Sequence, residues 1–170
     1  AGAMPFRRAE LLVQRVAHAE VEVDIGVHVD GYVADTATTV NLSNDGRWQP
    51  LNRASADALA AAIATVADGV PVGELGAAVE RTIMKADFQP VRNLTVHGLG
   101  RWKVHTPPQI PNQAEGGGGR LKSGMVFAIE PFACTAAITL APHRHDTANA
   151  RCVYRRIRED AGNEGVDAQG

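Results

Sequence analysis

The chain has 170 residues, enough for one domain with a real core, and 45% hydrophobic with 21% charged residues is a globular composition, not a disordered one. A formal net charge of −2 implies no general affinity for nucleic acid or for acidic membrane surfaces, so no DNA partner is expected. No run of about 18 apolar residues occurs, so no membrane-spanning helix is expected, and the two cysteines, Cys134 and Cys152, lack metal or disulfide spacing, which makes a reducing cytoplasm the default.

In chain order, residues 1–20 carry Arg7, Arg8 and Arg15 through their apolar stretch and do not read as a secretory signal. Residues 9–18 predict a short helix. Strict alternation follows. Val21, Val23, Ile25, Val27 and Val29 share one parity; Glu22, Asp24, Gly26 and His28 share the other. That is a strand with one apolar and one polar face. Asp30-Gly31 is a strong hairpin signal. A two-residue turn there pairs Val29 with Tyr32, Val27 with Ala34, Gly26 with Asp35 and Asp24 with Ala37. Asp24 and Asp35 then share a face as diagonal neighbours, roughly 7–8 Å apart at the backbone. Gly26, opposite Asp35, leaves space between them. Two carboxylates so placed repel unless a proton or a cation sits there, and a divalent metal is a natural occupant.

Asn44-Asp45-Gly46 predicts a turn. Leu59, Ile63, Val66 and Val70 recur at helical spacing, with Asn52 as the expected cap and Gly69 as the expected stop. Leu75, Val79 and Ile83 predict a second helix ending near Asp87. Both stripes are core faces without chemistry of their own. Residues 90–99 read as a strand and 101–106 as its short continuation before Pro107-Pro108. Residues 113–119 are a glycine-rich loop. Residues 125–132 form an apolar strand with one acid inside it. From Cys134 the pattern fades, and no clear internal repeat is present.

Three further residues are chemically odd where they sit. His97 interrupts a strand, Glu130 lies among Val126, Phe127, Ala128, Ile129 and Phe132, and His105 follows in the segment of His97. Each has a plain explanation. Acids on an outer sheet face are ordinary, a strand histidine is more often a bonded core residue than a ligand, and a strand glutamate can face solvent or meet an arginine. Together, Asp24, Asp35, His97 and Glu130 are an oxygen-rich set with one nitrogen. Such a set suits two Mn, Fe, Co or Zn ions and excludes thiolate-type structural zinc.

The segments Asp24-Ile-Gly-Val-His-Val-Asp-Gly-Tyr-Val-Ala-Asp35-Thr, Asn93-Leu-Thr-Val-His97-Gly, His105 with Ile110-Pro-Asn112, and Ala128-Ile-Glu130-Pro-Phe resemble the type 2 methionine aminopeptidases, most closely in their archaeal form. The resemblance covers about residues 20–133, with order and spacing kept. It implies an α/β (α+β) pita-bread fold, incomplete here, around a centre of two divalent metal ions (Co, Mn, Fe, Zn or Ni). It implies Asp24, Asp35, His97 and Glu130 as metal ligands, with Asp35 shared between both ions. Glu130 would also move the proton in catalysis, and His105 would act at the site by contacting substrate without binding metal. The implied reaction is hydrolytic removal of the N-terminal methionine from nascent polypeptides, by a cytoplasmic monomer acting at the ribosome, with no membrane partner.

The ends depart from the family pattern. A further glutamate ligand expected in a C-terminal strand has no match, and Glu159 and Glu164 fall in polar sequence. An upstream substrate histidine has none either, because His18 is too close to Asp24. Val96 stands where the family has glycine and would crowd the site. The expected organisation is a divergent segment 1–20, a metallopeptidase core 21–133 and a divergent, poorly ordered tail 134–170, as from a truncated or frame-shifted gene. Two other readings stay open. One is a non-catalytic pita-bread binding module or inactive remnant. The other is a proline-directed dipeptidase, which cleavage of X-Pro against Met-Gly peptides would separate.

Overall fold

Three antiparallel strands make the first sheet: β1 (Arg8–Val16), β2 (Glu20–Val29) and β3 (Tyr32–Asn41), in the order β1-β2-β3. The computed structural model describes residues 8–16, 20–42, 45–92, 94–115, 118–135 and 153–156; for residues 8–16, 20, 21, 95 and 153–156 it describes the backbone alone. The β2–β3 hairpin has the expected register, with Val29 opposite Tyr32, Gly26 opposite Asp35 and Asp24 opposite Ala37. Asp30 (φ 50°) and Gly31 (φ 86°) both take left-handed conformations, as a two-residue turn of the right twist requires. The helix expected over 9–18 is instead β1, in continuous register with β2 from Arg8 opposite His28 to Val16 opposite Glu20. An isolated helix that short is marginal, and a nine-residue ladder on the free edge of β2 outweighs it.

The helical pair follows. Helix α1 (Gln49–Thr65) starts earlier than the Asn52 cap would place it. Gly46 (φ 68°) turns the chain, Pro50 occupies the first helical turn where its missing N–H costs nothing, and Asn52 N–H already donates to the Trp48 carbonyl. Helix α1 also ends at Val66, before Gly69. Helix α2 (Gly73–Lys85) ends where expected, with Asp87 at φ 63° just beyond it.

The stretch expected as one strand over 90–99 divides in two. Its start is the short β4 (Gln89–Pro90), and its end is β5 (Thr95–Gly100). Strand β6 (Lys103–Pro111) runs on through Pro107-Pro108 instead of stopping before them. It can do so because it is an edge strand of the second sheet, where a missing N–H need not break a ladder. The apolar stretch around residue 127 yields β7 (Val126–Ile129), which ends ahead of Glu130-Pro131, and then β8 (Ala133–Cys134) paired with β4. Strand β9 (Val153–Arg156), within the expected tail, pairs antiparallel with β7 and completes the order β6-β5-β7-β9. The remaining tail residues beyond Thr135 lie outside the described residues.

Helices α1 and α2 cover one face of this second sheet. Ala58, Leu59, Ala62, Leu75, Val79 and Ile83 pack there with Val96, Ile110, Leu121, Phe127 and Ile129. Val96 therefore points into the helix-side core and does not crowd the other face. Helix α2 approaches the end of β6 closely enough that a Cβ on Gly76 would strike the carbonyl oxygens of Pro111 and Gln113. Neither oxygen is the end of a flexible side chain. Gly76→Ala is expected to cost about 2 kcal/mol through this overpacking, read as a fall in melting temperature; an unchanged melting curve would refute the close approach.

Candidate metal centre

Strand parity builds the site. On β5, Val96 faces the helices, so His97 faces the opposite side. On β7, Phe127 and Ile129 face the helices, while Ala128 packs with Ala37 and Leu99 on the far side. His97 pairs with Ala128, so Glu130, two residues on, is the diagonal neighbour of His97 on that far side. Ala37 brings β3 to the same place, and Asp35 shares its parity. The hairpin sheet thus meets the second sheet where three of the expected residues converge.

Asp35, His97 and Glu130 offer ligand atoms that all lie within 4.8 Å of one another. His97 Nε2 is 3.0 Å from Glu130 Oε1 and 3.7 Å from Asp35 Oδ2. Asp35 and His97 are buried, at 8% and 4% exposure. Gly26 leaves the expected space, because an added Cβ there would meet nothing within 4 Å. Asp24, the fourth residue expected, lies outside that close group; it faces Asp35 and Glu130 electrostatically and shares a hydrogen bond with Asp35. His105, exposed on β6, is not part of the close group; its ring lies 4.3 Å from that of His97, so it borders the site from the solvent side.

The backbone under Glu130 is anchored from both sides. Asn112, fully buried, donates from Nδ2 to the Glu130 carbonyl at 2.8 Å, and Ser55 Oγ on α1 donates to the Pro131 carbonyl at 2.9 Å. These anchors restrict where the Glu130 side chain can start, which is how a strand end holds a ligand in place.

The electrostatics are those of a site that wants a cation. Burial and the nearby charges of Asp35 and Glu130 raise the Asp24 carboxyl from 3.8 to about 6. Burial and Glu130 raise Asp35 as well, against the lowering influence of His97. Burial opposes a charge on His97, but the hydrogen bond to Glu130 and the charges of Glu130 and Asp35 outweigh it, so its pKa is raised. These raised values reflect acids gathered out of water beside one another, a charge that a divalent cation would compensate. The donor set of carboxylates plus one imidazole, gathered in a buried but open space, fits such an ion.

One acid was not singled out by sequence. Glu22 is only 9% exposed, and burial together with the charges of Asp24 and Glu130 raises its carboxyl from 4.5 to about 7. The signal was available, since it lies two residues before Asp24 on the same strand face. Cys134 is buried, and its Sγ donates to the Gln89 carbonyl at 3.3 Å, apart from the site.

A helix-backed pair of sheets carrying this donor set is the pita-bread architecture of a metal-dependent protein. Residues 17–159 match the model of metallopeptidase family M24, reaching past both ends of the stretch where motifs were recognisable. The chain belongs to that family. It is 45% identical over 140 residues to a methionine aminopeptidase of Methanothermobacter thermautotrophicus, which covers 82% of this chain and 45% of the relative. It is 47% identical over 113 residues to one of Archaeoglobus fulgidus, covering 66% and 38%. Among solved structures, a methionine aminopeptidase from Thermotoga maritima superposes with a TM-score of 0.67 at 29% identity, over 79% of this chain and 57% of that one. The chain thus spans about two fifths of the length of these curated relatives.

Proposed function

We propose that this chain is the metal-holding part of a methionine aminopeptidase. The observation that carries the reading is the convergence of Asp35, His97 and Glu130 in one buried cluster, in a chain similar to methionine aminopeptidases of two archaea. In this reading Asp35, His97 and Glu130 hold one divalent ion, and Asp24 with Asp35 holds a second. When bound, the ions would supply Lewis-acid polarisation of the scissile carbonyl and an acidified water. The residues do the rest. Asp35 keeps the two positions in register from the middle of the cluster. Glu130, the least enclosed of the three by its side chain, takes the water's proton and passes it to the leaving amine. His105, beside His97 and open to solvent, contacts the substrate peptide. Ser55 and Asn112 fix the backbone that aims Glu130.

The substrate is the N-terminal methionine of newly made polypeptides, met in the cytoplasm. Among the described residues no helix is long and apolar enough to cross a membrane. The test is calorimetric titration of the metal-stripped chain with Mn²⁺ and Co²⁺, with hydrolysis of Met-Ala-Ser and of an X-Pro peptide followed in the same samples. Two ions bound with release of methionine is the expected result. Cleavage of X-Pro alone would make the chain a proline-directed dipeptidase, and metal binding without turnover of either would make it a binding module.

A further inference from the structure

The close group of ligand atoms is divided between two bodies. Asp35 stands on the β2–β3 hairpin, while His97 lies on β5 and Glu130 just past the end of β7 in the second sheet. The two sheets share no ladder among the described residues. Near the site they meet through a small cluster, Ala37 of β3 with Ala128 and Leu99. Further contacts that set the hairpin against the second sheet lie at the strand tips.

Strands β5 and β6 are joined by Arg101-Trp102, with Gly100 opposite Lys103, and this turn reaches the Asp30-Gly31 turn of the hairpin. Trp102 N–H donates to the Gly31 carbonyl at 2.8 Å, and Arg101 Nε donates to the Asp30 carbonyl at 2.9 Å. The Arg101 guanidinium lies over the Tyr32 ring, 5.5 Å from its centre. The Trp102 ring covers Gly31 so closely that a Cβ there would strike it. It also meets the His28 ring, with 4.9 Å between centres. His28 shares the strand face of Asp24 and Gly26.

A turn alone does not call for this tryptophan. Trp102 is 63% exposed, and it sits at φ 62°, a left-handed conformation that glycine adopts without strain. A bulky residue persists there only when its surroundings hold it. What holds Trp102 is the hairpin tip, through one backbone hydrogen bond and two ring contacts.

We propose that Trp102 is a positioning residue of the metal centre: with Arg101 it fastens the hairpin tip to the second sheet and so sets Asp35 against His97 and Glu130. This rests on the metallopeptidase reading above. Trp102 acts through the hairpin and touches neither metal nor substrate. Without its ring the hairpin still forms, because its register comes from its own ladder and turn. It can then shift about its remaining contacts. An ion binds only those chains in which the carboxylate stands within reach of the imidazole, so affinity falls with that fraction.

Trp102→Gly is the decisive variant, because glycine accepts φ 62° and keeps the N–H that Gly31 binds, so that the ring alone is lost. The full chain, stripped of metal, is titrated with Mn²⁺ by calorimetry, and its melting in EDTA is followed by circular dichroism. Mn²⁺ binding to Trp102→Gly is expected to weaken at least about tenfold, while the metal-free melting temperature stays within about 3 °C of wild type. Trp102→Phe, which restores a ring, should recover the affinity to within about threefold of wild type. Arg101→Ala, which breaks the same junction and leaves the tryptophan, should weaken binding in the same direction. Trp102→Gly that binds Mn²⁺ as wild type does overturns the proposal. So does a joint fall of affinity and melting temperature that Trp102→Phe does not reverse, since that is a general support of the fold. If Trp102→Gly does not fold, Arg101→Ala decides: weakened binding at an unchanged melting temperature upholds the proposal, and unchanged binding overturns it. A wild type that binds no Mn²⁺ at all overturns the metallopeptidase reading and this inference with it.

Discussion

Asp35→Asn is expected to abolish metal loading, weakening Mn²⁺ binding by more than about 100-fold and removing any peptidase turnover with it. The position explains the size of the effect. Asp35 is buried on β3 between Asp24 on β2 and the pair His97 and Glu130. It is the one carboxylate that both halves of the cluster can use, so its loss removes a ligand from each side at once. The asparagine is nearly isosteric and replaces an oxygen by a donor NH₂ that repels a cation. Burial and Glu130 already hold the Asp35 carboxyl above its usual range, so the neutral amide relieves like-charge repulsion in the metal-free chain. The metal-free variant should therefore melt no lower than wild type. That separates loss of a ligand from loss of fold. Calorimetric titration of both proteins with Mn²⁺ decides the matter, and affinity retained within threefold would show that the centre is not built on Asp35.

The parts of this site that sequence revealed are those whose geometry is local. Alternation over Val21–Val29 and the Asp30-Gly31 turn set the register that puts Asp24 and Asp35 on one face, and the structure keeps that register residue for residue. Helix α2 was equally legible, since its stripe and its stop lie within one segment. What escaped depends on distant partners. β1 is a strand because β2 offers it an edge, which no ten-residue window can show. β6 passes through two prolines because it lies at a sheet edge, a fact fixed by β5 alone pairing with it. Val96 was expected to crowd the metal, but helices packed from the other side decide that it points away from His97. Glu22 shows the same limit within the site itself. Its parity was plain, but its burial is a property of the folded chain, and burial is what separates it from an ordinary outer-face acid.

That burial leads to the second large effect, a metal-free chain that loses stability as pH rises from about 5 to 8. Glu22 titrates near 4.5 when unfolded and at about 7 when folded, because burial and then Asp24 and Glu130 disfavour its charge. Asp24 moves from 3.8 to about 6 for the same kinds of reason, burial first and then Asp35. In the window between these values the folded chain holds protons that the unfolded chain has released. Unfolding then releases protons, and stability falls as pH increases. His97 works in the same direction. Burial disfavours its charge, but Glu130 and Asp35 more than offset this, so its folded pKa is raised above 6.5; its contribution is present below that pH and is lost as pH climbs through the folded value. For Glu22 alone the shift corresponds to about 3 kcal/mol, which is a large part of a small domain's total stability. A bound divalent cation replaces these protons as the compensating charge, so added Mn²⁺ should restore most of the loss at pH 8. Melting temperatures recorded from pH 5 to 8, with EDTA and with Mn²⁺, test both statements, and Glu22→Gln in EDTA isolates the main contributor by flattening the slope. A stripped wild-type chain whose melting temperature holds level or rises across this range, with Glu22→Gln parallel to it, would mean that Glu22 does not lie in a buried, like-charged environment.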